Sequence, residues 1–270
     1  MKKLSAILFF TLFVPMLAFA QLQIRTHKEK ISDFVQKTTM VVLTGNDSLD
    51  IPIRHALKDF WSISAYEFCS SEDFIARSGS SDCYFLAVAD GGDGLRYWHL
   101  VKGGQGKKSL SSMLTVATVP VCPADGFTGR EDFLLPVLLC NLQNVAAKAV
   151  GSNYHGPGKP YSSPKQAASI PLMISEDELS PVVGAKEIED CEAKRIEFVS
   201  AADADKAFVD GTEAAVCYVV GPRNPRKGQV FYVFLADADT YGLYYNKKHK
   251  VGSAGCGLLK EDLKAFAKGR

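Results

Sequence analysis

The chain is expected to fold as an α+β protein of two similar halves, each a small, mostly antiparallel sheet with flanking helices. Three observations lead there. Short helical patterns are scattered among hairpin-forming strands, which favours layered α+β packing over a doubly wound parallel sheet. The stretch from Gly151 to Pro171 is too rich in glycine, proline and serine to hold a helix or strand interior, and it parts the chain in two. Across that divide the sequence repeats itself. Glu67-Phe68-Cys69-Ser70 returns as Glu197-Phe198-Val199-Ser200, Asp73 as Asp203, Cys83-Tyr84 as Cys217-Tyr218, and Tyr97-Trp98-His99-Leu100 as Tyr232-Val233-Phe234-Leu235. The expected segments are a leader over 1–20, a first half over 21–150, a linker over 151–171 and a second half over 172–270.

The leader comes first. Lys2 and Lys3 precede an apolar run from Leu4 to Phe19 that closes on Ala18-Phe19-Ala20, the pattern of a secretory signal peptide, and the run is short for a membrane span. Cleavage is expected between Ala20 and Gln21; a glutamine there offers no thiol for lipid attachment.

In the first half, the β-branched run Thr38 to Leu43 reads as a strand, followed by a helix capped at Ser48 or Asp50 with Pro52 in its first turn. Ile53, Leu57 and Phe60 share one face of that helix. Trp61 to Phe68 reads as the next strand, and Ser70 with Asp73 forms a capping box for a short helix through Arg77. The runs Cys83 to Val88 and Leu95 to Val101 form a hairpin across Asp90-Gly91-Gly92-Asp93-Gly94, and Met113 to Val121 is a third strand beside them. A helix over 131–150 closes the half, with acids at its positive end and Leu134, Leu138, Leu142 and Val145 as its buried stripe. The second half repeats the strand, capped helix and hairpin, then adds a strand from Gly242 to Val251 and an amphipathic helix from Leu258 to Lys268.

Composition narrows the function. Hydrophobic residues at 47% and charged residues at 23% suit a folded soluble protein, and no second apolar run of spanning length follows the leader. Loss of Lys2 and Lys3 takes the net charge from +1 to −1, so no global field draws nucleic acid. The seven cysteines are odd in number and sparse for a disulfide scaffold; Cys83 and Cys217 lie in apolar runs, where cysteine serves as a small buried hydrophobe.

Motifs are few. Gly103 to Ser109 lacks the first glycine of a phosphate loop, whose place is taken by Val101. Asp237 to Gly242 begins like a calcium loop but carries Tyr241 at the fifth position and Lys248 at the twelfth, so it reads as a hairpin turn. The five histidines have no metal-binding spacing, and neither metal nor cofactor is expected. Cys256, between Gly255 and Gly257, with His249 upstream, is the one candidate nucleophile and base. The strongest surface feature is basic: Arg223, Arg226 and Lys227 in a proline-stiffened loop, with Lys247, Lys248 and Lys250 on the following strand. These cations either meet an acidic glycan, lipid head group or acidic protein face, or guard a sheet edge. The sequence therefore points to an exported bacterial protein, periplasmic or secreted, acting as a non-catalytic binding module. The alternative is a secreted hydrolase using Cys256 and His249.

Overall fold

Two five-stranded sheets carry the same strand order in a computed structural model that describes residues 30–107, 109–151 and 163–268. The expected leader and most of the linker lie outside the described residues. Strands β1 (Thr39–Val42), β2 (Tyr66–Cys69), β3 (Tyr84–Asp90), β4 (Leu95–Lys102) and β5 (Leu114–Pro123) lie in the order β2-β1-β3-β4-β5. Strands β6 (Leu172–Ser175), β7 (Ile196–Val199), β8 (Ala215–Val220), β9 (Val230–Asp237) and β10 (Leu243–Lys250) give β7-β6-β8-β9-β10. In each sheet the first strand pairs in parallel with the second and third, and the last three form an antiparallel meander. Each sheet is thus mixed: helical crossovers bring the second and third strands back beside the first in short parallel pairs, and the longer antiparallel meander makes up most of the pairing.

The helices are α1 (Asp47–Phe60), α2 (Ser71–Arg77), α3 (Glu131–Val150), α4 (Ala185–Glu192), α5 (Ala201–Asp210) and α6 (Lys260–Ala267). Ser70 and Asp73 cap α2 as expected, and Ser200 caps α5 by accepting from the Asp203 amide at 3.1 Å. The cap of α1 is Asn46, not Ser48 or Asp50. Asp50 instead turns back to accept from the amides of Thr44 and Gly45, each at 2.9 Å, closing the loop from β1. Pro52 therefore falls in the second turn. The expected strand from Trp61 shrinks to β2, because the Trp61 indole donates to the Ser64 carbonyl at 3.0 Å and holds a turn there. Two elements had no counterpart in the sequence reading: β6, four residues long, and the acidic helix α4.

Helix α3 decides how the halves meet. It ends on Gly151, whose φ of 69° suits a residue without a Cβ and lets its amide cap the last carbonyls. It contacts β5, α1 and α5, so its buried surface runs well beyond the expected stripe to Leu135, Val137, Leu139 and Cys140. Against the expectation of no second run of spanning length, α3 is by length and composition apolar enough to cross a membrane, and it is mostly buried within the protein. Gln143, fully buried, accepts from the amides of Ser62 and Ile63 and donates to the Phe60 carbonyl at 2.8 Å, satisfying the turn after α1.

The largest core joins α1, α3 and the face of the first sheet bearing Tyr84, Leu86 and Leu100 to α5 and the face of the second sheet bearing Val216, Tyr218 and Phe234. The other face of the second sheet packs separately with Cys191, Leu263 and Phe266, and the other face of the first sheet packs with Phe74 of α2. Register makes these faces comparable. Thr39 pairs with Tyr84 as Leu172 pairs with Ala215, so the face that carries α1 and α3 in the first half carries α4 and α6 in the second. The halves are stacked in the same sense, head to tail: the α3 face of one meets the α5 face of the other.

The same register corrects one internal match. Tyr84 corresponds to Ala215, so Cys217 answers Leu86 and not Cys83, whereas the match of Leu100 with Leu235 holds. Cys217 is fully buried within β8; Cys83 precedes β3 and is only partly buried. All seven cysteines are unpaired. Native alkylation should label Cys83 and Cys256 first, leaving Cys122, Cys140 and Cys217 until the chain unfolds. Mass spectrometry of partly alkylated protein tests this; labelling of Cys217 as fast as Cys83 would contradict the assigned burial.

Candidate functional site

In open sheets with parallel strands, ligands gather at the carboxyl ends of the strands where successive connections leave to opposite sides. In the second half that point lies between β6 and β8, because the chain passes from β6 to β7 on one side and then back across to β8 on the other. The chain leaves β6 through the turn Glu176–Glu178, β8 ends beside it at Val220, and Arg130 enters from the start of α3. These segments surround a cleft of about 180 Å³ lined by Thr128, Arg130, Asp177, Glu178 and Tyr218.

Arg130 is the hub. Its Nη1 donates to Glu178 at 2.5 Å, its Nη2 to Asp205 at 3.1 Å and its Nε to Asp205 at 3.3 Å, while the guanidinium lies 4.9 Å from the centre of the Tyr218 ring. The Tyr218 hydroxyl closes the set by donating to Asp205. Glu178 also accepts from the Val219 amide at 3.1 Å. Burial opposes the charge on Arg130, but the hydrogen bond to Asp205 and the charges of Glu178 and Asp205 prevail and hold it protonated. For Glu178 the balance falls the other way: burial pushes it up to about 7, more than Arg130 and the Val219 amide pull it down. Burial, then the bond to Asp205, raises the Tyr218 phenol. Each guanidinium nitrogen of Arg130 donates to one of the two carboxylates, and the Thr128 hydroxyl on the cleft wall donates to Glu131. Chemically the cluster is an ionic joint between the halves.

Sequence reading missed this joint. One signal was present: an arginine at the start of α3 is unfavourable to the helix dipole, which implies a tertiary partner.

His249 turns Nε2 to Asp262 at 3.0 Å and Nδ1 to Glu261 at 3.3 Å, and stacks on Phe231. Neither ring nitrogen is directed at Cys256, whose sulfur lies beside Gly221 and whose thiol burial pushes up to about 11. His249, Glu261 and Asp262 are near enough to one another to hold a metal ion. However, the two carboxylates meet different nitrogens of the imidazole, and the Lys247 ammonium already supplies positive charge, 2.9 Å from Glu261 and 3.9 Å from Asp262. The donor set fits an internal ion-pair network better than a metal centre.

The six cations do not share one face. Register along β10 sends Lys247 and His249 to the α6 side and Lys248 and Lys250 to the other. Lys247 pairs with Glu261, Lys248 lies 3.8 Å from Asp93, and Arg223 donates to the Phe127 carbonyl across the seam. Burial lowers the Lys248 ammonium, against the pull of Asp93. Arg226, Lys227 and Lys250 remain exposed at one end of the second sheet, where the amide of Gly228 donates to Val251 and that of Val251 to Gln229. Comparison with known proteins finds no matching family model, no similar curated protein and no similar solved structure.

Proposed function

We propose that the chain is an exported, non-catalytic binding module whose partner is anionic and meets the second sheet at Arg226, Lys227 and Lys250. One observation carries the reading: these side chains are exposed together and make no ion pair among the described residues, while the other three candidate cations are engaged internally. Edge protection accounts for part of the basic strand, since β10 is the outer strand of its sheet, but not for the loop residues Arg226 and Lys227. The raised thiol of Cys256 and the engaged nitrogens of His249 count against the hydrolase alternative.

Binding to immobilised dextran sulfate, measured at low and at physiological salt, tests the proposal. N-terminal sequencing of the protein recovered from the producing cells should read Gln21 if it is exported. Wild type should bind in a salt-dependent manner. Replacing Arg226, Lys227 and Lys250 together with serine should weaken binding about tenfold, from roughly 0.5 kcal/mol per exposed charge, and leave the melting temperature unchanged. No salt-dependent binding by wild type would refute the reading.

A further inference from the structure

We propose that a second cleft on the seam binds one carboxylate-bearing sugar unit, so that the anionic partner is an acidic glycan; this rests on the reading above and names the class of its ligand. The cleft lies where the loop between β8 and β9 leans on the first half. Arg223 fastens one side by donating to the Phe127 carbonyl, and Val230 fastens the other by donating to the Asp93 carbonyl at 3.3 Å. Between the two fastenings opens a space of about 290 Å³, lined by Gly94 and Asp125 from the first half and Pro222, Asn224, Arg226 and Gln229 from the second. That volume is near the lower end for small-ligand pockets, about 300 Å³, and suits one ring rather than a long chain.

The lining has a definite hydrogen-bonding sense. Gln229 accepts from the Arg226 amide through Oε1 at 2.7 Å, which fixes its amide group and turns Nε2 toward Gly94 as a donor. Asn224 reaches Asp125 only at 3.5 Å, the long limit of a hydrogen bond, so both groups retain capacity for a ligand. The Arg226 guanidinium is exposed beside them and matches a carboxylate with two parallel bonds. Asp125 is an acceptor only, and it repels a ligand that offers negative charge without donors. The site therefore calls for an anion flanked by hydroxyl groups. A uronate-type sugar has that combination: its carboxylate faces Arg226 and the Gln229 amide, and its hydroxyls face Asp125 and Asn224. Gly94 keeps this corner open. At its φ of 96°, a Cβ would stand 2.8 Å from Gln229 Nε2 and 3.3 Å from Pro222, displacing the donor amide. Lys227 and Lys250 flank the loop and supply the longer-range attraction for neighbouring acidic units of a polymer.

The test uses the whole protein and four probes: trigalacturonate, its methyl ester, dextran sulfate and phosphatidylglycerol vesicles. Wild type should bind trigalacturonate saturably and its methyl ester about tenfold more weakly. The double variant Asn224→Ala/Gln229→Ala, which keeps every charge, should lose about tenfold on trigalacturonate and nothing on dextran sulfate. Arg226→Lys should lose affinity for the uronate while keeping that for dextran sulfate, because a point charge replaces the fork. Circular dichroism and a melting curve establish that the variants fold. Equal binding of acid and ester, or a double variant indistinguishable from wild type on trigalacturonate, overturns the inference and leaves the anionic reading in place if dextran sulfate still binds. Vesicle binding that the double variant weakens, without uronate binding, assigns the cleft to a lipid head group and also overturns it. If wild type binds neither dextran sulfate nor trigalacturonate, the anionic reading itself fails.

Discussion

Replacing Arg130 with alanine is expected to lower stability by about 3 kcal/mol, a fall in melting temperature of roughly 10 °C for a chain of this size. The cost follows from what is left behind. Glu178 and Asp205 have side chains only 10% and 15% exposed, and without Arg130 they face one another with no counter-charge. Arg130 belongs to the first half and both acids to the second, so the loss falls on the seam, where the largest core is shared. Lysine should recover less than half of the loss, because three guanidinium nitrogens are in use and an ammonium cannot reproduce the fork. Neutralising the whole set, Arg130→Met with Glu178→Gln and Asp205→Asn, should recover most of it. Calorimetry of the three variants is the measurement. A cost for Arg130→Ala below about 1 kcal/mol, the range of an exposed pair, would mean that apolar packing alone holds the halves together.

How much of this was written legibly in the sequence depends on the kind of residue. Elements punctuated by local chemistry could be read: α2 from Ser70 and Asp73, α3 from its leading acids and Gly151, and the turn after β9, where Asp237 accepts from the amides of Asp239 and Thr240. The likeness of the two halves was legible from Glu67 to Cys69 and from Tyr97 to Leu100 because those segments are strand cores whose register survives. It failed at Cys83, where β3 and β8 are offset differently from the flanking strands and a shared Cys-Tyr pair coincides by chance. Strand β6 escaped because four residues beside a proline carry no period, and α4 because a single buried Cys191 gives no stripe. The sites were less legible still. The joint draws Arg130, Glu178, Asp205 and Tyr218 from four separate segments, and the seam cleft draws on loops of both halves; only the fold brings either set together. Alternation along β10 also divided a basic run that reads as continuous in sequence.

Because the joint is buried and ionic, pH should act on it, and Glu178→Gln is expected to remove a pH dependence of about 3 kcal/mol. Burial raises Glu178 from the ordinary 4.5 to about 7, so between those values the folded chain keeps a proton that the unfolded chain has released. The contribution to stability is then fully present below pH 4.5 and is lost as pH rises through about 7. The groups facing Glu178 are Arg130 from α3, Asp205 from α5 and Tyr218 from β8, with Asp177 beside it; glutamine leaves all of them in place. Comparing wild type with Glu178→Gln at each pH therefore isolates the one carboxyl. The difference in unfolding free energy should move against wild type as pH rises from 4.5 to 7 and level off above. The opposing forces are visible in the geometry: both oxygens of Glu178 accept hydrogen bonds, at 2.5 Å from Arg130 and 3.1 Å from Val219, and these favour the anion that burial disfavours. Parallel stability curves for the two proteins would show that the hydrogen bonds offset burial and that Glu178 titrates as an ordinary carboxyl. If burial wins, removal of Arg130 should also be less damaging in acid than above neutrality, since a protonated Glu178 needs no counter-charge. Measuring Arg130→Ala on both sides of the transition tests that coupling, and an equal loss at both pH values would separate the fate of Arg130 from the proton on Glu178.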